Sequence, residues 1–243
     1  MRLKVLFITL SILFTLRMNA QYSGAQGRTV DFSGINFESV SVGIRLSPTI
    51  SWVNITHDDA QADGASLNYG LGAIVNYKIN SLLSVVSGVN YQTFGGYAFD
   101  NASLNDFTNK NNFKLNYSEI EIPVGLKLQT PTLGIKSYYI TGGFTTGFIM
   151  TAVEKHSSTS KNTKPTNYNI LSVSSPSRVG CFVGLGSNYQ IGKKITLFGE
   201  IVYKTALSSM AEGKSYSNDG LHDYPQSIEI LPSSMDFSIG LMF

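Results

Sequence analysis

From Val40 the chain sets Val40, Val42, Ile44, Leu46, Pro48, Ile50 and Trp52 at every second position, with Ser41, Gly43, Arg45, Ser47, Thr49 and Ser51 between them. A period of two sends successive side chains to opposite faces, so this stretch predicts a strand with one apolar face. Seven further segments follow the same rule. The second opposes Tyr69, Leu71, Ala73, Val75, Tyr77 and Ile79 to Asn68, Gly70, Gly72, Asn76 and Lys78. The third, near 82–94, gathers Leu83, Val85, Val89 and Tyr91, with Val86 and Phe94 out of phase. In the fourth, Ile120, Ile122, Val124, Leu126 and Leu128 stand against Glu119, Glu121, Gly125, Lys127 and Gln129. The fifth alternates Tyr138, Ile140, Phe144, Phe148 and Met150 with Tyr139, Thr141, Gly143, Thr145 and Gly147. Val179, Cys181, Val183, Leu185 and Tyr189 oppose Arg178, Gly180, Gly184, Gly186 and Asn188 in the sixth, and Ile195, Leu197, Ile201 and Tyr203 oppose Thr196, Glu200 and Lys204 in the seventh. The eighth covers about 227–243 and is interrupted in its first half by Pro232, Ser233 and Ser234.

The spacers alternate as well. Those at 80–81, 130–135 and 191–193 are short, while 54–67, 95–112, 152–176 and 208–226 are long and rich in Asn, Ser, Asp, Lys and Gly. Eight strands joined by short and long connections in turn predict an all-β fold: an eight-stranded antiparallel transmembrane barrel with short periplasmic turns and long extracellular loops. The rival is a soluble up-and-down barrel of lipocalin type, whose apolar face would point inward. Against it, the polar face holds mostly Gly, Ser, Thr and Asn with charges of both signs, which suits a crowded lumen. Aromatics also mark the strand ends: Trp52, Tyr69, Tyr91 and Phe148 on one side, Tyr77, Tyr138, Tyr189 and Phe243 on the other. Two such girdles are expected where a barrel meets the two membrane interfaces.

Both ends of the chain agree with this. Residues 1–20 carry Arg2 and Lys4, an apolar run from Val5 to Leu16, and Ala20 before Gln21, the layout of a secretory signal cleaved near Ala20. That run is shorter than the roughly 20 residues a membrane helix needs. Residues 21–37 lack periodicity and are expected as a periplasmic lead-in to a barrel over 38–243. The last strand alternates Phe237, Ile239, Leu241 and Phe243 up to the final carboxylate; an aromatic-ended strand of this kind resembles the signal read by outer-membrane assembly machinery. Left open in water, such an edge invites aggregation, which closure removes.

Charge adds one exclusion. The net +2 includes Arg2, Lys4 and Arg17, so the chain beyond residue 20 holds 15 basic against 16 acidic residues. Nucleic acid is therefore not an expected partner. Cys181 is the sole cysteine, so neither a disulfide framework nor a thiolate metal cluster is expected.

The strand set resembles the PorT-like small outer-membrane barrels of Bacteroidota over about residues 38–243. The resemblance lies in Ser41-Val42-Gly43-Ile44-Arg45, in the strand from Tyr117 to Lys127, and in Tyr138-Tyr139-Ile140-Thr141-Gly142-Gly143-Phe144. It continues in Phe182-Val183-Gly184-Leu185-Gly186, in the seventh strand around Glu200 and Tyr203, and in the closing Phe243. What the resemblance implies is the fold, outer-membrane residence among lipid, and a link to proteins of type IX secretion or gliding.

Parity sends Arg45, Lys78, Glu119, Glu121, Lys127, Arg178, Lys194, Glu200, Lys204 and Asp236 into the lumen. Buried charges need partners, so these are expected to form a network that plugs the barrel, with Glu119 and Glu121 accepting from Arg45 or Arg178. The alternative is a narrow diffusion path along the same residues. An enzyme is not expected. The competing arrangement is a loop-borne hydrolase in which Asp58 and Asp59 face His222 and Asp223, as in omptin proteases, though those barrels have ten strands. His57 and His156 are read as solvated loop residues, and Asp58, Asp59 and Asp63 lack the ligand spacing of a calcium loop. No cofactor is expected.

Overall fold

The computed structural model describes residues 39–56, 60–100, 111–158, 166–171, 174–192, 195–210 and 229–243. The expected signal, lead-in and Lys194 lie outside these residues. The strands are β1 (Val40–Thr56), β2 (Ala60–Lys78), β3 (Leu83–Asp100), β4 (Asn111–Gln129), β5 (Lys136–Ser158), β6 (Thr166–Asn169), β7 (Ser177–Gln190), β8 (Thr196–Ala206) and β9 (Glu229–Met242). All but β6 pair antiparallel in one ring, in which β9 returns to β1. The eight-stranded closed barrel is thus formed. Short β6 extends the upper part of β5, with Val153 opposite Asn169. Among the described residues no helix is long and apolar enough to cross a membrane.

The stagger of the ring follows from its register. Val42 faces Val75, which faces Ser87; Val124, Phe144, Cys181, Thr205 and Ser233 follow, and Ser233 faces Trp52. One circuit therefore ends ten residues further along β1. With strands about 4.8 Å apart and about 3.4 Å per residue, that stagger tilts them by about 41° and gives a backbone radius of about 8 Å. Such a lumen is just wide enough for side chains.

The apolar face points outward. Ile44, Leu71, Val124, Phe144, Leu185 and Ile239 are each more than half exposed, on strands all round the ring. Lumenal positions carry the buried charges, including Glu119, Glu121 and Asp236. This is the reverse of a lipocalin and excludes that rival. Phe237, Ile239 and Phe243 sit on the outer face, and the backbones of Val42 and Phe243 exchange hydrogen bonds of 2.7 and 3.2 Å at the seam.

At the end holding that seam the turns are short. The Asn80 side chain accepts from the backbone N–H groups of Leu82 and Leu83 at 2.9 and 2.8 Å, which closes the β2–β3 turn. Gly134 takes φ +66° in the β4–β5 turn, a left-handed position that glycine occupies without strain.

Two expectations need correction. The segments 54–67, 95–112 and 152–176 are partly strand, since β2 begins at Ala60, β3 runs to Asp100, β4 starts at Asn111 and β5 reaches Ser158. Their polar composition leaves the backbone pairing intact, and their lumenal positions, among them Ala98, Ala152 and Glu154, are buried. Pro232 likewise does not break the last strand. Its missing N–H points toward β8, which ends at Ala206, so no ladder bond is lost there.

Candidate functional site

The lumen is filled in layers. At the outer end, Val53 of β1, Phe94 and Ala98 of β3, Phe113, Leu115 and Tyr117 of β4, and Ile149 and Ala152 of β5 form one buried apolar cluster with Met210. Phe94 and Tyr117 stack with centroids 5.4 Å apart. Two non-strand segments cover it. Ile170 N–H donates to Ala152 at 3.0 Å, Ser175 N–H to Met210 at 2.8 Å, and Met210 N–H to Ile230 at 2.9 Å. These bonds carry the Met210 side chain into the cluster, where 1% of it is exposed.

Beneath this cap lies a belt of charge. Arg178 of β7 forks onto Glu119 of β4, with Nε 3.1 Å from Oε2 and Nη2 on Oε1, and reaches Glu121 at 3.5 Å. Its guanidinium also lies 5.2 Å from the Phe94 ring, which joins belt to cap. Lys204 of β8 bridges Glu121 at 2.7 Å and Asp236 of β9 at 2.9 Å, and donates to Gln92 Oε1 at 2.7 Å. Thr49 and Ser234 donate to Asp236 at 3.0 and 3.2 Å. Burial of these carboxylates is tolerated because Glu121 and Asp236 each have a cation and further donors, and Glu119 takes two N–H groups of Arg178.

Below the belt, Arg45 donates to Asn90 and Glu200, both at 3.1 Å. Tyr139 donates to the other Glu200 oxygen at 3.2 Å. The Lys127 ammonium sits 3.7 Å from the Tyr139 ring centroid and donates to Asn188 at 3.4 Å. A cavity of about 40 Å³ adjoins Arg45, Lys127, Tyr139 and Glu200.

Of the ten lumenal charges named from sequence, Arg45, Glu119, Glu121, Lys127, Arg178, Glu200, Lys204 and Asp236 are buried or nearly so. Lys78 is exposed at the end of β2. Glu119 and Glu121 accept from Arg178, one of the two donors expected, and Arg45 pairs with Glu200. Gly72 and Gly240 flank Arg45 on either side in the ladder and leave its side chain a free path across the lumen. The apolar cap was missed altogether. Its sequence signal is the out-of-phase Phe94, lumenal and buried, whereas Val86, also out of phase, lines the cavity near the short turns.

Among the described residues, the carboxylate pair offers no open catalytic geometry. Glu119 and Glu121 are fully buried and ion-paired, so neither is open to a substrate. His57, Asp58, Asp59, His222 and Asp223 lie outside the described residues. His156, expected in a loop, belongs to β5 and faces Phe113 and Thr166 in the register, because the β5–β6 hairpin continues above the apolar band. Asp63 lies exposed on β2, and no group of three potential metal ligands occurs among the described residues.

Comparison with known proteins places the architecture. No curated protein matches the chain by sequence. Among solved structures it is similar to OprG from Pseudomonas aeruginosa, at 12% identity and TM-score 0.49, covering 84% of this chain and 96% of that one. It is also similar to the Neisserial surface protein A, at 12% identity and TM-score 0.44 with the same coverage. The attachment invasion locus protein Ail of Yersinia pestis matches at 13% identity and TM-score 0.37, over 84% of this chain and 98% of that one. The family model for the outer membrane protein beta-barrel domain matches residues 19–212, most of the sequence and seven strands of the ring. With its closed ring, outward apolar face and family match, the chain belongs to the outer membrane protein beta-barrel domain family, and its place is the outer membrane.

Proposed function

We propose that this barrel is a sealed structural or interaction element of the outer membrane, neither a diffusion channel nor an enzyme. The observation that carries this reading is the apolar cap stacked on an ion-paired belt, within a lumen only as wide as its side chains. A hydrated solute entering from outside would have to part the Phe94–Tyr117 stack and then break buried ion pairs. The working surfaces are then the lipid-facing wall and the strands that rise above it, β3 to Asp100 and β5 to Ser158. The test is planar-bilayer conductance and liposome swelling with the refolded protein. Neither is expected above the lipid background, and stable openings of porin size would overturn the reading in favour of the channel.

The finer reading is a place beside type IX secretion or gliding proteins. It is supported by the PorT-like motifs around Tyr117–Lys127 and Tyr138–Phe144. In that role the barrel would be recovered from detergent extracts bound to other outer-membrane proteins, and its deletion would hold secreted cargo inside the cell. A protein recovered alone, with a normal secreted proteome in the deletion strain, refutes the finer reading and leaves the sealed barrel untouched.

A further inference from the structure

The lumenal charges divide unevenly along the barrel axis. In the belt, Glu119, Glu121 and Asp236 face Arg178 and Lys204, an excess of one negative charge. In the chamber below, Arg45 and Lys127 face Glu200, an excess of one positive charge. Glu200 has already committed both oxygens, one to Arg45 and one to the Tyr139 hydroxyl. Lys127 is 3% exposed, yet among the described residues no carboxylate lies within ion-pair distance of it. An ammonium has three N–H donors. That of Lys127 makes one long bond to Asn188 and a contact with a ring face.

The polar groups around it are also unmatched. Thr141 lies directly opposite Lys127 across the β4–β5 ladder, and Ser84 lies directly opposite across the β3–β4 ladder. Both hydroxyls are buried without a partner among the described residues. Asn76 Oδ1 is in the same condition, and Asn76 and Thr141 line the cavity together with Lys127 and Arg45. A buried cation flanked by two unused hydroxyl donors has the chemistry of an anion site. Native interiors rarely leave such groups unmatched.

We propose that this chamber binds a halide ion, held by Lys127 and Arg45 with Thr141 donating its hydroxyl. Size selects the ligand class. About 40 Å³ takes about three water-sized bodies, enough for a monatomic anion with two residual waters, one of which serves Asn76 Oδ1. Entry is from the end with the short turns, where Lys78, two positions beyond Asn76 on the same face of β2, is exposed at the strand end. The ion neutralises the chamber and leaves the belt above it unaltered.

Crystals of the folded barrel grown in bromide test this directly through anomalous scattering. A bromide peak in the lumen between Lys127 and Thr141 is expected; a lumen without one, in well-diffracting crystals, overturns the proposal. In solution, the unfolding midpoint is compared in bromide, chloride, gluconate and phosphate at matched ionic strength. The wild type should show a halide-specific rise that is lost in Lys127→Met. Thr141→Val keeps the comparison open should Lys127→Met not fold, and is expected to need a several-fold higher halide concentration for the same rise. An unchanged halide response in either folded variant overturns the proposal.

Discussion

Arg178→Met is the sharpest probe of the belt. The substitution keeps an unbranched side chain against Phe94 but deletes every N–H that reaches Glu119. Glu119 is fully buried, and Arg178 is its cation. Glu121 is insured, because Lys204 stays 2.7 Å away and Asn90 donates to it at 3.0 Å. The loss is therefore that of one carboxylate stripped of its partner in a buried site, about 3–5 kcal/mol. The middle of that range is close to a 1000-fold fall in the folding constant. Glu119→Gln is the contrasting change. It leaves Arg178 beside Glu121 at 3.5 Å and should cost less, about 1–3 kcal/mol. The double variant should be more stable than Arg178→Met alone, since a neutral amide no longer needs the cation. Urea unfolding in micelles, followed by the single tryptophan Trp52 that packs 6.3 Å from Tyr203, reads all three. The reasoning is refuted if Arg178→Met stays within about 1 kcal/mol of wild type, or if adding Glu119→Gln brings no recovery.

Other outcomes follow from the same layers. Phe94→Ala should cost about 3–5 kcal/mol by emptying the centre of the cap, measured by the same unfolding, while bilayer conductance stays at background because the belt still blocks the bore. Gly186→Val should destabilise by about 1–3 kcal/mol, because a Cβ there runs into the Tyr139 ring; a faster tyrosine ring flip by NMR would report the displacement, and an unmoved ring would count against it. Deleting the Phe243 side chain should slow assembly in cells yet leave refolding in detergent close to wild type, since that ring is more than half exposed on the outer face. A refolding defect as large as the cellular one would assign Phe243 to seam stability instead. On gels, the folded barrel should migrate differently from the boiled chain, and a circular dichroism spectrum dominated by helix would contradict the fold.

The strands β1 and β4 are readable at once over Val40–Trp52 and Glu119–Gln129, where one face is apolar and the other polar. β3, β7 and β8 were read less cleanly for a physical reason. A lumen plugged by its own side chains uses bulk as well as charge, so Val86, Phe94, Phe182, Phe198 and Val202 stand where the simple alternation expects polar groups. The cap shows the same limit, since Tyr117 and Ile149 become neighbours only through the stagger and the β-bulge between Ser118 and Glu119. The identity of the lumenal charges followed from parity, whereas their pairing did not. Arg45 meets Glu200 because the ring closes β1 beside β9, a fact of closure that no local pattern contains. Above the band the outward face meets water and carries polar residues such as Lys114 and Asn116, which blurs the period of two while leaving the backbone ladder in place.

Except at the β1–β9 seam, the ladder hydrogen bonds of this barrel join ring strands that follow one another along the chain, whereas its lumenal ion pairs reach farther. Lys204 joins Glu121 across 83 residues, and Arg45 joins Glu200 across 155. A sheet of the first seven ring strands can therefore be complete in its backbone and still lack Asp236. In that unfinished sheet the carboxylates face water, where hydration stabilises them without any partner. They lose that hydration when β9 meets β1, and the cations arrive in the same event. Seam closure and desolvation are thus one step, with no half-closed species in which the ions are dry and unpaired. Timing is the consequence: folding should show a late, concerted phase whose rate responds to belt substitutions, while earlier hairpin formation runs at a speed indifferent to them.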